Sequence, residues 1–206
     1  MKRVLLSSVV VATIALAGCG SSNANSSKDL PSLDSDGSTV TTSRSGSTTS
    51  KATTTTRGSQ LGELYKDPSG YFQVRVNSAW DETGRDATWY VTGPGTNAPQ
   101  MSADWVAGSG EGLSESQIRA RFENAVREKV PGATGVVFKT IRGGTSNGLY
   151  SIEYTAPVSG VTLKFFQVIS LANDGVAFAI LVALPSDYAS ALSAAKPYML
   201  TVYALK

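Results

Sequence analysis

The chain has 206 residues with 18 Lys plus Arg, 16 Asp plus Glu and no histidine, for a formal net charge of +2. Two of those cations, Lys2 and Arg3, lie at the extreme N-terminus, so the rest of the chain is balanced and offers no basic run for nucleic acid. The absence of histidine excludes Ser-His-Asp and Cys-His catalysis, histidine acid-base chemistry and every histidine-ligated metal site.

Lys2 and Arg3 precede an apolar run, Val4 to Leu16, broken only by Ser7, Ser8 and Thr13. That run is too short to span a bilayer and reads as a cleaved export signal over residues 1–18. Leu16-Ala17-Gly18 then leads into Cys19, the one cysteine of the chain. The arrangement resembles the bacterial lipobox, which implies a diacylglyceryl group on Cys19 and cleavage before it. Buried acyl methylenes contribute about 0.8 kcal/mol each, so two or three chains suffice as an anchor. The expectation is a protein lipid-anchored to the extracytoplasmic face of a cell membrane. With Cys19 committed to lipid, no disulfide remains to staple the exported part.

Residues 19–60 are dominated by Ser and Thr, with Leu30, Leu33 and Val40 as the only large aliphatics before the end of the stretch. Such a composition cannot offset its ordering entropy and predicts a disordered stalk with a root-mean-square reach of roughly 35 Å. Asp34-Ser35-Asp36-Gly37 opens like a calcium loop but lacks the later ligands and the terminal glutamate.

Residues 61–206 supply one domain with a core of useful size. Leu64-Tyr65-Lys66 and Tyr71 to Val76 predict a hairpin about Asp67-Pro68-Ser69-Gly70, with Phe72, Val74 and Val76 on one face and Trp80 capping it. Ala87 to Thr92 and Met101 to Ala107 predict two more strands. Ser114 and Gln117 form a capping box, Leu113 and Ile118 a hydrophobic staple, and Pro131-Gly132 a stop. Between them Ile118, Phe122, Ala125 and Val126 make the apolar face of a helix. Arg119, Glu123 and Arg127 lie on another, solvated face.

Leu149 to Ala156 and Val161 to Ala172 flank Pro157-Val158-Ser159-Gly160, and a symmetric hairpin puts Glu153 opposite Lys164. Phe165 and Phe166 are adjacent and point to opposite faces. After Asn173-Asp174-Gly175, Val176 to Leu184 is apolar throughout, the pattern of a strand covered on both sides. Ser186 is expected to cap a last helix with Tyr188, Ala191, Leu192 and Ala195, interrupted near Pro197. The fold class is therefore α+β, an antiparallel sheet flanked by helices on both faces.

Tyr65-Lys66-Asp67-Pro68-Ser69-Gly70-Tyr71-Phe72 with Val74, Val76 and Trp80, then Gly148-Leu149-Tyr150-Ser151-Ile152-Glu153-Tyr154 and Asn173-Asp174-Gly175, resembles the PsbP-like family. Its simplest members are bacterial lipoproteins, and it shares its fold with actinobacterial LpqN-type envelope lipoproteins. The resemblance implies an α-β-α sandwich in a non-catalytic envelope protein. Asn77-Ser78-Ala79-Trp80 departs from it by lacking the proline usual before that tryptophan, and the metal-contacting histidines of some photosynthetic members have no counterpart.

No catalytic residue, metal site or cofactor emerges. Gly108-Ser109-Gly110-Glu111-Gly112 fits neither a dinucleotide fingerprint nor a P-loop, and Glu111 would repel an anion. Gly108, Gly110, Gly112 and Trp105 remain as candidate contacts for a ligand or partner. Asp104 and Glu153 are the acids that a carboxylate-dependent hydrolase would have to bring together. The leading expectation is a binding or assembly module for another exported or membrane protein. The second is a carrier or sensor of a lipid or other small apolar ligand held between sheet and helix beside the glycine-rich loop.

Overall fold

The computed structural model describes residues 61–95, 97–108, 113–144 and 147–205. The export signal, Cys19, the stalk, Gly110 and Gly112 lie outside the described residues. In chain order the elements are β1 (Glu63–Lys66), β2 (Phe72–Val76), β3 (Asp81–Glu82), β4 (Thr88–Tyr90), β5 (Gln100–Ala107), α1 (Glu115–Lys129), β6 (Thr134–Arg142), β7 (Leu149–Val158), β8 (Val161–Leu171), β9 (Gly175–Ala183), α2 (Tyr188–Met199) and β10 (Tyr203–Ala204).

Seven strands form one antiparallel sheet in the order β3-β4-β5-β9-β8-β7-β6. Its centre is β9, whose uniformly apolar sequence needs cover on both faces. Val176, Phe178 and Ile180 enter one core layer, and Ala177, Ala179, Leu181 and Ala183 enter the other. Phe165 and Phe166 divide between the same two layers, as their adjacency requires.

α1 closes the first layer with Ile118, Phe122 and Val126, and α2 closes the second with Tyr188, Ala191, Ala195 and Met199. The expected helix on each face is therefore present. A second, three-stranded sheet, β1-β2-β10, shares the α2 side and buries Phe72, Val74 and Val76 there. Trp80 packs against this layer with its ring 4.9 Å from that of Tyr198.

The expected capping box forms in full: Ser114 Oγ accepts from Gln117 N–H, and Gln117 Oε1 accepts from Ser114 N–H at 2.8 Å. Arg119 and Glu123 pair at 3.4 Å across one helical turn.

Five expectations change. The β7–β8 turn is a two-residue loop, Ser159-Gly160, with both φ values positive (51° and 81°). This is the pattern of the tight hairpin turn that matches strand twist. The strands therefore run on to Val158 and Val161, and Glu153 faces Phe166 while Lys164 faces Thr155. The Glu153–Lys164 ion pair survives on the diagonal at 3.8 Å. Asp187, not Ser186, is the N-cap of α2, and it makes no side-chain cap bond because its backbone is already helical. α2 continues through Pro197 to Met199. β4 is shorter than the predicted Ala87 to Thr92 strand. Finally, β6 went unpredicted: only Phe138 of its nine residues is buried, so an edge strand exposing Val137 and Ile141 left no alternation to read.

Candidate functional site

The turn Asp67-Pro68-Ser69-Gly70 is fixed twice through one aspartate. Gly70 N–H donates to the Asp67 carbonyl at 2.9 Å, and Tyr71 N–H donates to Asp67 Oδ2 at 3.1 Å. Gly70 completes the turn at φ 74°, where a side chain would be strained. The chain then delivers Tyr71 onto Trp105, the two rings stacked with centroids 5.3 Å apart. Trp105 can lie there because Gly175, on the neighbouring strand, has no Cβ. A Cβ would overlap the indole and come within 2.5 Å of the Val106 carbonyl oxygen.

β5 is eight residues long, yet β4 pairs only with Gln100, Met101 and Ser102. The chain enters β4 through Ala87 at φ 47°, a left-handed conformation unusual for a residue with a Cβ. The Ala87 carbonyl still accepts from Ala103 N–H at 2.9 Å. A cleft of about 480 Å³ opens beside this junction, bounded by Tyr65, Asp67, Phe72, Arg85, Asp86, Ser102 and Asp104. Burial first, then the fields of Asp67, Asp86 and Glu82, hold the Tyr65 phenol above its ordinary pKa. The cleft is thus an acidic recess with an aromatic wall, and Asp104 Oδ1 at its edge accepts from Trp105 N–H at 2.7 Å.

Of the residues singled out from sequence, Trp105 and Gly108 fall at this end of β5. Gly108 N–H donates to the Asp174 carbonyl at 3.0 Å, which ties the start of the glycine-rich loop to the β8–β9 turn. Cys19, Gly110, Gly112 and Glu111 lie outside the described residues. Trp89 is core, 3% exposed.

The sheet separates Asp104 from Glu153. Asp104 is in register with Phe178 of the α1 layer, whereas Glu153 is in register with Phe166 of the α2 layer. A single bond-cleaving pair cannot be built from carboxylates on opposite faces. The space between α1 and the sheet, where the carrier alternative would hold an apolar ligand, is packed by Ile118, Phe122, Val126, Tyr150 and Ile152. An apolar strip of Tyr188, Leu192, Pro197 and Leu200 with Lys196 lies instead along α2.

Tyr71, Asp67 and Asp86 were missed as site residues. The first two read as parts of a hairpin and of the PsbP-like resemblance, and no sequence spacing connects residues 67, 86 and 104.

No family model matches this chain, and no curated protein matches it. Among solved structures it is similar to LpqN of Mycobacterium tuberculosis, involved in cell envelope biogenesis, at 13% identity and TM-score 0.46, covering 72% of this chain and 87% of that one. It is also similar to the cyanobacterial PsbP of Synechocystis sp. PCC 6803 at 9% identity and TM-score 0.47, covering 69% and 91%. Both values fall below 0.5, so the functional reading starts from this chain's own residues.

Proposed function

We propose that this chain is a lipid-anchored, non-catalytic envelope protein of the PsbP-like and LpqN-like kind, whose domain binds another exported or membrane protein and assists its placement. The observation that carries the reading is the open end of β5, where an acidic cleft, a stacked Tyr71–Trp105 pair and a strand edge that no described strand covers adjoin one another. Surfaces of this kind suit a polypeptide partner better than a reacting small molecule. The lipobox-like Leu16-Ala17-Gly18-Cys19 supports anchoring through Cys19 on the extracytoplasmic face, and charge balance beyond the first residues argues against nucleic acid. A carrier of a lipid or other apolar ligand is the second reading, favoured by the apolar strip along α2.

The test is native mass spectrometry of the full-length protein extracted gently from its own membrane. A mass increase on the Cys19 peptide with a co-purifying protein at fixed stoichiometry is expected. An unmodified Cys19 sinks the anchor, and a released small apolar mass without any protein favours the carrier.

A further inference from the structure

The uncovered half of β5 has the chemistry of a strand-addition site, and we propose that it receives an extended, lysine- or arginine-bearing segment of the partner, an inference that rests on the docking reading above.

In an antiparallel strand the backbone groups of alternate residues point to opposite sides. Ala103 N–H donates towards β4, to the Ala87 carbonyl at 2.9 Å. Two and four residues on, Trp105 and Ala107 therefore present their backbone groups to that same side, whereas Ser102, Asp104 and Val106 turn towards Ile180, Phe178 and Val176 of β9. No strand among the described residues covers Trp105 and Ala107 on the β4 side. Among the described residues, Trp105 N–H is met only by the carboxylate of its own neighbour Asp104. An incoming backbone carbonyl can replace that carboxylate without any change in the sheet, and Ala107 N–H supplies the next bond in the ladder.

The terminal strand β6 and the open half of β5 differ in a way that points to use. β6 carries Lys139 and Arg142 and is broken by two register shifts, devices that discourage pairing. The open half of β5, Asp104-Trp105-Val106-Ala107, carries no cation, no proline and no register shift. Its single guard is Asp104, which is displaced rather than buried when a strand arrives.

Charge decides the partner. Among the described residues, Asp67, Asp86 and Asp104 line the adjoining cleft against one cation, Arg85. A basic side chain projecting from the added strand enters an acidic recess, and its aliphatic stem has Tyr65 to pack against. An acidic segment would meet repulsion at the same place.

The experiment titrates the full-length protein with a capped six-residue peptide of alternating valine and lysine, with alternating valine and glutamate as the control. The lysine peptide is expected to bind saturably and shift the Trp105 and Ala107 amide resonances, and the glutamate peptide is expected not to bind. Ala107→Pro removes an outward N–H and leaves the β9 ladder intact, so it should weaken binding about tenfold. Asp86→Asn should weaken it about threefold. Equal affinity of the lysine peptide for both variants and the unaltered protein overturns the inference, as does failure to bind the unaltered protein. Should Ala107→Pro fail to fold, Asp86→Asn and the amide shifts decide alone. Recovery of the same partner from native membranes by Ala107→Pro would leave the docking reading intact and sink this one. Recovery of no partner by the unaltered protein would sink the docking reading itself.

Discussion

The ring of Trp105 lies against that of Tyr71, their planes 17° apart, and so joins the small sheet to the open end of β5. Gly175 makes the arrangement possible from below, because any side chain there would occupy the volume of the indole. Gly175→Ala should cost about 1–3 kcal/mol in chemical denaturation through overpacking. Trp105→Ala should relieve part of that cost, so the double variant should be less destabilised than the sum of the two singles. Strict additivity would mean that the Val106 carbonyl alone sets the penalty.

Ser114→Ala removes the acceptor that satisfies Gln117 N–H at the start of α1. The expected loss is about 1 kcal/mol, read from the thermal midpoint, with Ser114→Asp restoring most of it. No recovery with aspartate would show that the hydroxyl acts through something other than capping.

Lys164 serves two partners. Its Nζ lies 3.8 Å from Glu153 Oε1 and 4.4 Å from the centre of the Tyr188 ring. Lys164→Ala should therefore destabilise more than Glu153→Gln, by about 1 kcal/mol against a few tenths, because the ion pair is partly solvated whereas the ring contact persists without Glu153. Equal losses would assign the whole effect to the ion pair.

Burial pushes the Tyr154 phenol up from its ordinary value of 10.0 to about 12. The folded state thus holds this proton more tightly than the unfolded chain does. The stability it contributes is fully present below pH 10 and declines as pH rises towards 12, by up to about 3 kcal/mol. Tyr154→Phe should flatten that part of the alkaline stability curve, measured by urea denaturation at fixed pH steps. An unchanged slope would move the effect to another phenol, such as that of Tyr188, which burial and the nearby Glu153 also push up.

Gln167 is 3% exposed, and among the described residues its Oε1 has no hydrogen-bond partner. Replacing it with a side chain of similar length and no polar head, Gln167→Met, should raise stability by about 1 kcal/mol by removing an unsatisfied acceptor. A loss in the same denaturation assay would show that the amide makes a compensating interaction.

The hydrophobic patterning alone was enough to place the core. Val176 to Leu184 had to be covered on both faces, Phe165 and Phe166 had to part, and Ser114-x-x-Gln117 had to start a helix, because each follows from local geometry within a few residues. The absence of histidine and the lipobox-like run before Cys19 are matters of composition and order. Register was not legible: two positive φ values at Ser159 and Gly160 moved Glu153 from Lys164 to Phe166, and a turn's backbone conformation is only weakly encoded by serine. The edge strand β6 escaped because an edge buries too little to impose alternation. Trp105 apart, the candidate site was decided by tertiary structure. Asp67, Asp86 and Asp104 belong to three segments that meet because β4 is short and Ala87 turns the chain, and the separation of Asp104 from Glu153 depends on which face of the sheet each occupies. Local physics fixes where a chain hides its apolar atoms; which polar groups then become neighbours depends on long-range pairing that no short stretch of sequence contains.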